Sequence, residues 1–186
     1  TFAAGQTEAT ITVVTNDDLA GLMDTSDQWI RERTGIEQRR WVREGQTSVD
    51  LALPAAQRAL EAAGLTARDI DAIVFATSTP DHFCPGNGVY LQRVLGAGNL
   101  PALDIRTQCS GFVYGLSVAD AWIRAGQYER ILLVGEEIQS TGMDLSTAGR
   151  HTAVIFADGA GAAVLGPADP SEEFGLLSFD LHTDGD

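Results

Sequence analysis

Pro101-Ala102-Leu103-Asp104-Ile105, then Arg106-Thr107-Gln108, then Cys109-Ser110-Gly111-Phe112-Val113-Tyr114-Gly115-Leu116 is the stretch on which the reading of this chain turns. Its first five residues read as a short buried strand. From Cys109 a helical pattern continues to about Ala125, with Phe112, Leu116, Ala119, Trp122 and Ile123 spaced to share one packed face. A cysteine is thus expected where a strand gives way to a helix, at the end whose first backbone N–H groups lack intrahelical partners. Those groups and the helix dipole favour negative charge, the condition under which a thiol becomes a nucleophilic thiolate. They also suit an oxyanion formed by attack on an acyl carbonyl. The arrangement points to acyl transfer from a nucleophile held on an elbow. The plainer alternative is a small buried apolar cysteine with no chemistry.

Working outward, strand and helix patterns alternate. Ile11–Val14 and Gln38–Val42 read as short strands, with capped helices from Thr15 or Asn16 to Met23 and from Thr25 or Ser26 to Arg33. Thr47 opens a helix that Gly64 ends, with Pro54 inside it, where a kink is expected. Asp71–Ala76 is a strand, Pro85–Leu95 a helix and Arg130–Gly135 a strand. Ser140–Arg150 reads as polar loop. Ala153–Phe156 and Ala160–Leu165 read as strands joined by an Asp158-Gly159 turn, and Phe174–Leu181 as a last strand. Thr1–Thr10 shows no period and is expected to fray. The alternation implies an α/β layered fold around a buried sheet.

The chain of 186 residues is long enough for one domain with a sizeable core, and 44% hydrophobic with 20% charged residues is ordinary globular composition. No apolar run reaches membrane-spanning length and no signal peptide is visible, so no membrane association is expected. Two cysteines, Cys84 and Cys109, make no disulfide framework, and a reducing cytoplasmic setting is the expectation. A net charge of −14 argues against nucleic acid as a partner, since its phosphates want a basic footprint. The early arginines Arg31, Arg33, Arg39, Arg40 and Arg43 either face an acidic partner or a phosphate, or form a solvated surface.

Four ordered segments carry a family resemblance. They are Thr15-Asn16-Asp17-Asp18-Leu19 leading through Asp24-Thr25-Ser26-Asp27-Gln28-Trp29-Ile30 to Arg33-Thr34-Gly35-Ile36; Thr107-Gln108-Cys109-Ser110-Gly111-Phe112 with Gly115-Leu116-Ser117-Val118-Ala119-Asp120; Phe156-Ala157-Asp158-Gly159-Ala160-Gly161-Ala162; and Leu181-His182-Thr183-Asp184-Gly185. Together they resemble 3-oxoacyl-[acyl-carrier-protein] synthase III, a condensing-enzyme family of the thiolase superfamily. The likeness runs from about Val13 to the last residue.

The resemblance implies a thiolase-like layered α/β fold with a mixed five-stranded sheet flanked by helices. It implies that residues 1–186 form the N-terminal half of a duplicated fold whose C-terminal half lies outside this sequence. Cys109 would take an acyl group from acyl-CoA for decarboxylative condensation with malonyl-carrier protein, its own N–H helping to hold the thioester oxygen. Trp29 would stack on the adenine of coenzyme A with Arg150 on the ring's other face, and Thr25 and Arg33 would line the same entrance. Coenzyme A would enter as substrate, with no cofactor and no metal. Acyl carrier protein and a second copy of the chain, in a homodimer, would be the partners.

Cys84, in Thr79-Pro80-Asp81-His82-Phe83-Cys84-Pro85, matches a loop that reaches the partner's acyl pocket in the family. A small side chain there implies a primer longer than acetyl. Relatives pair the cysteine with a histidine and an asparagine of the second half; His82, His151 and His182 match neither and read as structural. Gly159 and Gly161 read as packing glycines. Two further readings stay open: a related acyltransferase of secondary metabolism with another acceptor, and a non-catalytic half that works with a partner chain.

Overall fold

The computed structural model describes residues 11–169, 171 and 175–185; the expected fraying of Thr1–Thr10 lies outside them. In chain order the elements are β1 (Ile11–Thr15), α1 (Asn16–Ala20), α2 (Asp27–Thr34), β2 (Gln38–Val42), α3 (Ser48–Ala62), β3 (Ala72–Ala76), α4 (Asn87–Leu95), β4 (Ala102–Ile105), α5 (Gly111–Arg124), β5 (Ile131–Ile138), α6 (Arg150–Ala153) and β6 (Asp158–Leu165).

The main sheet has the order β4-β3-β5-β6: β3 runs parallel to both β4 and β5, and β6 is antiparallel to β5. β3 and β5 are central and covered on both faces, which is why Ala72–Ala76 and Ile131–Val134 are continuous apolar runs rather than alternating ones. Ile73, Phe75, Leu132 and Val134 pack beneath α3 and α4, while Val74, Ile131 and Leu133 pack beneath α5. As the spacing predicted, α5 presents Phe112, Leu116, Ala119, Trp122 and Ile123 to that second layer.

Two glycines bring α5 close to the sheet. A Cβ on Gly115 would stand 2.4 Å from Leu133 Cδ1, and one on Gly111 would stand 3.1 Å from the Ala76 Cβ. α3 continues through Pro54 to Ala62, because Leu51, Ala52, Ala55, Ala56 and Leu60 bury one side of it and offset the lost hydrogen bond. Its start is a capping box of Thr47 and Asp50, and Thr15 with Asp18 does the same for α1.

A separate antiparallel pair, β1-β2, packs with α1, α2 and the start of the 150s around Leu19, Met23, Ile30 and Val154. Asp158 ties this unit to the main sheet: its carboxylate accepts from Val42 N–H on β2 and from the N–H groups of Gln139 and Ser140.

The layered α/β fold agrees with the sequence, and several details differ. The main sheet has four strands where five were expected, because β1 pairs with β2 instead of joining it and Gly175–Leu181 forms no strand; Phe174 lies outside the described residues. Residues 153–156 are not a strand either. Arg150–Ala153 is helical, and Asp158 and Gly159 are the first residues of β6, paired with Ile138 and Glu137. The antiparallel partner of β6 is β5, so the Asp-Gly pair has no hairpin to close. The early arginines do not make one basic face: Arg31 pairs with Asp27 and Glu37, and Arg39 is buried, donating to Val14 O, Asn16 Oδ1 and Val154 O. Burial pushes the Arg39 guanidinium down from its ordinary value. Among the described residues no helix is long and apolar enough to cross a membrane.

Candidate active site

β4 ends at Ile105, and the chain reaches α5 through a tight 3-10 turn over Gln108–Ser110. Cys109 therefore sits two residues before the helix proper, on the turn rather than at its first residue, and it is exposed. Gln108 adopts φ of +48°, among the described residues the one non-glycine position in the left-handed region. Such a conformation costs free energy and persists where surrounding contacts fix it, a common property of reactive elbows. Here those contacts are Ser110 N–H and Oγ–H donating to Thr107 O, and Gly111 N–H donating to Gln108 O. Cys109 N–H has no acceptor among the described residues, which leaves it free for an incoming oxyanion.

Cys109 opens on a cavity of about 320 Å³ whose walls include Phe112, Gly135, Glu137, Gln139, Phe156 and Gly161. Gly135 admits the aromatic ring, since a Cβ there would stand 3.1 Å from Phe112 Cδ2. Glu137 is held rigidly: Ser78 N–H donates to it at 2.8 Å, and the hydroxyls of Ser78 and Thr79 add further bonds. Glu137, Gln139 and Phe156 were not singled out from the sequence. The strand reading ended at Gly135, whereas β5 runs on to Ile138 and carries Gly135 and Glu137 toward the cavity with period two.

A second constellation forms around Trp29 on α2. The Arg33 guanidinium carbon lies 4.3 Å from the ring centroid and that of Arg150 lies 4.6 Å from it. Arg150 is drawn in by Asp24 O, which accepts from its Nη1 at 2.5 Å, while Asp24 N–H donates to Thr147 Oγ1. Gly149 is required next to it, because a Cβ there would fall 2.0 Å from Asp144 O. Thr25 Oγ1 and Arg150 Nε are buried with no partner among the described residues, so two polar atoms near the tryptophan await one. The structure thus brings Trp29, Arg33 and Arg150 together, with Thr25 in the adjoining loop.

Cys84 lies apart, on the exposed loop before α4, beside Phe83, which is 83% exposed. The histidines stand outside the Cys109 cavity: His82 packs on Tyr90 at 4.5 Å, His151 lies 6.1 Å from Trp29, and His182 meets Asp180. Beneath the sheet's other face, Glu136 is buried against Ser48 and Thr77, and Asn87 Nδ2 donates to Ser48 Oγ at 2.6 Å. Burial without a counter-ion pushes the Glu136 carboxyl up to about 8.

Comparisons with known proteins agree with this architecture. The sequence profile described as 3-Oxoacyl-[acyl-carrier-protein (ACP)] synthase III matches residues 103–185. Beta-ketoacyl-[acyl-carrier-protein] synthase III of Granulibacter bethesdensis is 49% identical over 177 residues, covering 94% of this chain and 54% of that protein. The crystal structure of 3-oxoacyl-(acyl carrier protein) synthase III from Pseudomonas aeruginosa superposes with a TM-score of 0.86 at 45% identity, over 94% of this chain and 53% of that one. The priming beta-ketosynthase from the R1128 polyketide biosynthetic pathway gives a TM-score of 0.81 at 35% identity, over 85% of this chain and 47% of that one. The chain spans about half the length of the curated relatives it matches. The sheet order, the cysteine elbow and these matches agree in likening the chain, over nearly its whole length, to about half of a 3-oxoacyl-[acyl-carrier-protein] synthase III.

Proposed function

We propose that Cys109 is the acyl-accepting nucleophile of a condensing enzyme of fatty acid biosynthesis, and that this chain supplies the first half of its duplicated fold. The observation that carries this reading is the elbow: an exposed thiol on a 3-10 turn at the N-terminus of a 14-residue helix, with Gln108 at φ +48° and a cavity in front. In the first step the Cys109 sulfur bonds to the acyl carbon of acyl-CoA. The carbon–sulfur bond to coenzyme A breaks, and coenzyme A leaves as its thiol with the proton. The developing oxyanion is received by backbone N–H groups at the turn. In the second step malonyl-carrier protein loses CO2, its carbanion bonds to the acyl carbon, and the bond to Cys109 breaks to give 3-oxoacyl-carrier protein. That step needs donors for a second oxyanion, and no histidine among the described residues lines the cavity.

Trp29, Arg33, Arg150 and Thr25 are the proposed coenzyme A entrance, since an indole face with guanidinium groups over it suits a purine ring and its phosphates. Coenzyme A is substrate here, with no further cofactor. The relatives are named for the acyl carrier protein, which makes it the proposed second substrate. A homodimer in the cytoplasm completes the reading. The exposed Phe83-Cys84 loop would reach across to the partner's acyl pocket, and a small Cys84 would leave room for a primer longer than acetyl. The likeness to the polyketide priming synthase favours a second reading, a related acyltransferase with another acceptor.

The test is intact-mass analysis after incubation with acyl-CoA thioesters. A single acyl adduct that disappears in Cys109→Ala is the expected result. An adduct that survives that substitution would remove Cys109 from the role.

A further inference from the structure

Gln139 lines the Cys109 cavity beside the apolar Phe112, Phe156 and Ala76 and the polar Ser78, Gln108 and Glu137. Its orientation is decided by Glu137. A carboxylate only accepts, so the Gln139 Nε2 must face Glu137, and it does so at 3.2 Å. The amide carbonyl oxygen is thereby turned away from Glu137, and no donor among the described residues meets it. Glu137 is itself immobilised by Ser78 and Thr79, so the amide has a fixed anchor. The cavity therefore offers acceptors, the Gln139 carbonyl and the Glu137 carboxylate, and none of its lining residues is an arginine, lysine or histidine.

From this we infer that the acyl group delivered to Cys109 carries a hydroxyl, which donates to the Gln139 carbonyl oxygen. A purely hydrocarbon chain leaves that oxygen desolvated and unpaired, which is the source of discrimination. A carboxylate-bearing acyl group is repelled by Glu137, with no cation present to offset it. Gln139 thus acts as a specificity residue: it touches the acyl chain and takes no part in bond making. The inference rests on the proposed acylation of Cys109.

The experiment compares the rates at which butyryl-CoA, 3-hydroxybutyryl-CoA, 4-hydroxybutyryl-CoA and succinyl-CoA form the Cys109 adduct, followed by intact mass. One hydroxybutyryl thioester is expected to react about fivefold faster than butyryl-CoA, the scale of one hydrogen bond, and succinyl-CoA slowest. Gln139→Leu brings the hydroxybutyryl to butyryl ratio close to one, and Gln139→Ala provides the same test without added bulk. A butyryl preference in the parent protein, or a ratio unmoved by both substitutions, overturns the inference while leaving acylation of Cys109 intact. Absence of any adduct, from protein whose Cys109 still reacts with iodoacetamide, overturns both.

Discussion

The Arg150 guanidinium carbon lies 4.6 Å from the centroid of the Trp29 ring, joining a residue of α2 to the first residue of α6. A cation over an indole contributes roughly 0.5–2 kcal/mol, depending on desolvation. Trp29→Ala is expected to raise the acyl-CoA concentration for half-maximal Cys109 acylation about tenfold, with little change in the saturating rate. Arg150→Lys, which keeps the charge and loses the planar stack, is expected to give much of the same rise. Saturation curves of adduct formation check both, and an unchanged half-maximal concentration in Trp29→Ala contradicts the proposed entrance.

Gly149 sets the position of Arg150. A methyl group there meets the Asp144 carbonyl oxygen, a backbone atom that can yield only if the loop moves. Gly149→Ala should therefore destabilise by about 1–3 kcal/mol, or roughly 2–4 °C in Tm for each kcal/mol. It should also release Arg150 from Trp29. Calorimetry and Trp29 fluorescence read the two effects, and a shift in Tm without a change in fluorescence would separate the loop from the stack.

Glu136 gives the fold a definite pH dependence. Its carboxyl is raised from 4.5 to about 8 in the folded protein by burial, so the folded state holds a proton that the unfolded chain has released. Stability from this group is fully present below pH 4.5, falls as pH rises from there to about 8, and levels off beyond. The slope approaches about 1.4 kcal/mol per pH unit where the two states differ by one proton. Glu136→Gln is neutral throughout, so urea midpoints at pH 5 and pH 8 should differ less in the variant than in the parent. Equal differences would place the proton elsewhere.

Cys84 is the size test for the acyl pocket. Cys84→Phe is expected to shift preference toward acetyl-CoA and slow thioesters of six carbons or more by about tenfold, whereas Cys84→Ala leaves the chain-length profile unchanged. A competition assay over a ladder of acyl-CoA lengths distinguishes them. Identical profiles for Cys84→Phe and the parent would mean the loop does not reach a pocket.

Much of this was readable before any coordinates. Helix starts were legible because Thr15, Ser26 and Thr47 cap through their own side chains, a local interaction. The central strands were legible because double-sided burial leaves an uninterrupted apolar run. Trp29, Arg33 and Arg150 were legible through resemblance alone, since their meeting depends on a loop closure that no periodicity records. The end of β5 was not legible, because Glu136 and Glu137 look like a solvated strand end. Ser48, Thr77, Ser78 and Thr79, distant in sequence, are what admit them to the sheet. The 150s misled for a related reason: Asp158 resembles a turn residue, and its role is long-range.

That role has a dynamic consequence. Because one carboxylate joins β2 to the loop leaving β5, the β1-β2 unit and the main sheet cannot open independently without stranding Asp158, which is only 7% exposed. The two regions should share a single cooperative opening, so that protection from solvent exchange rises and falls together across Val42, Gln139 and Ser140.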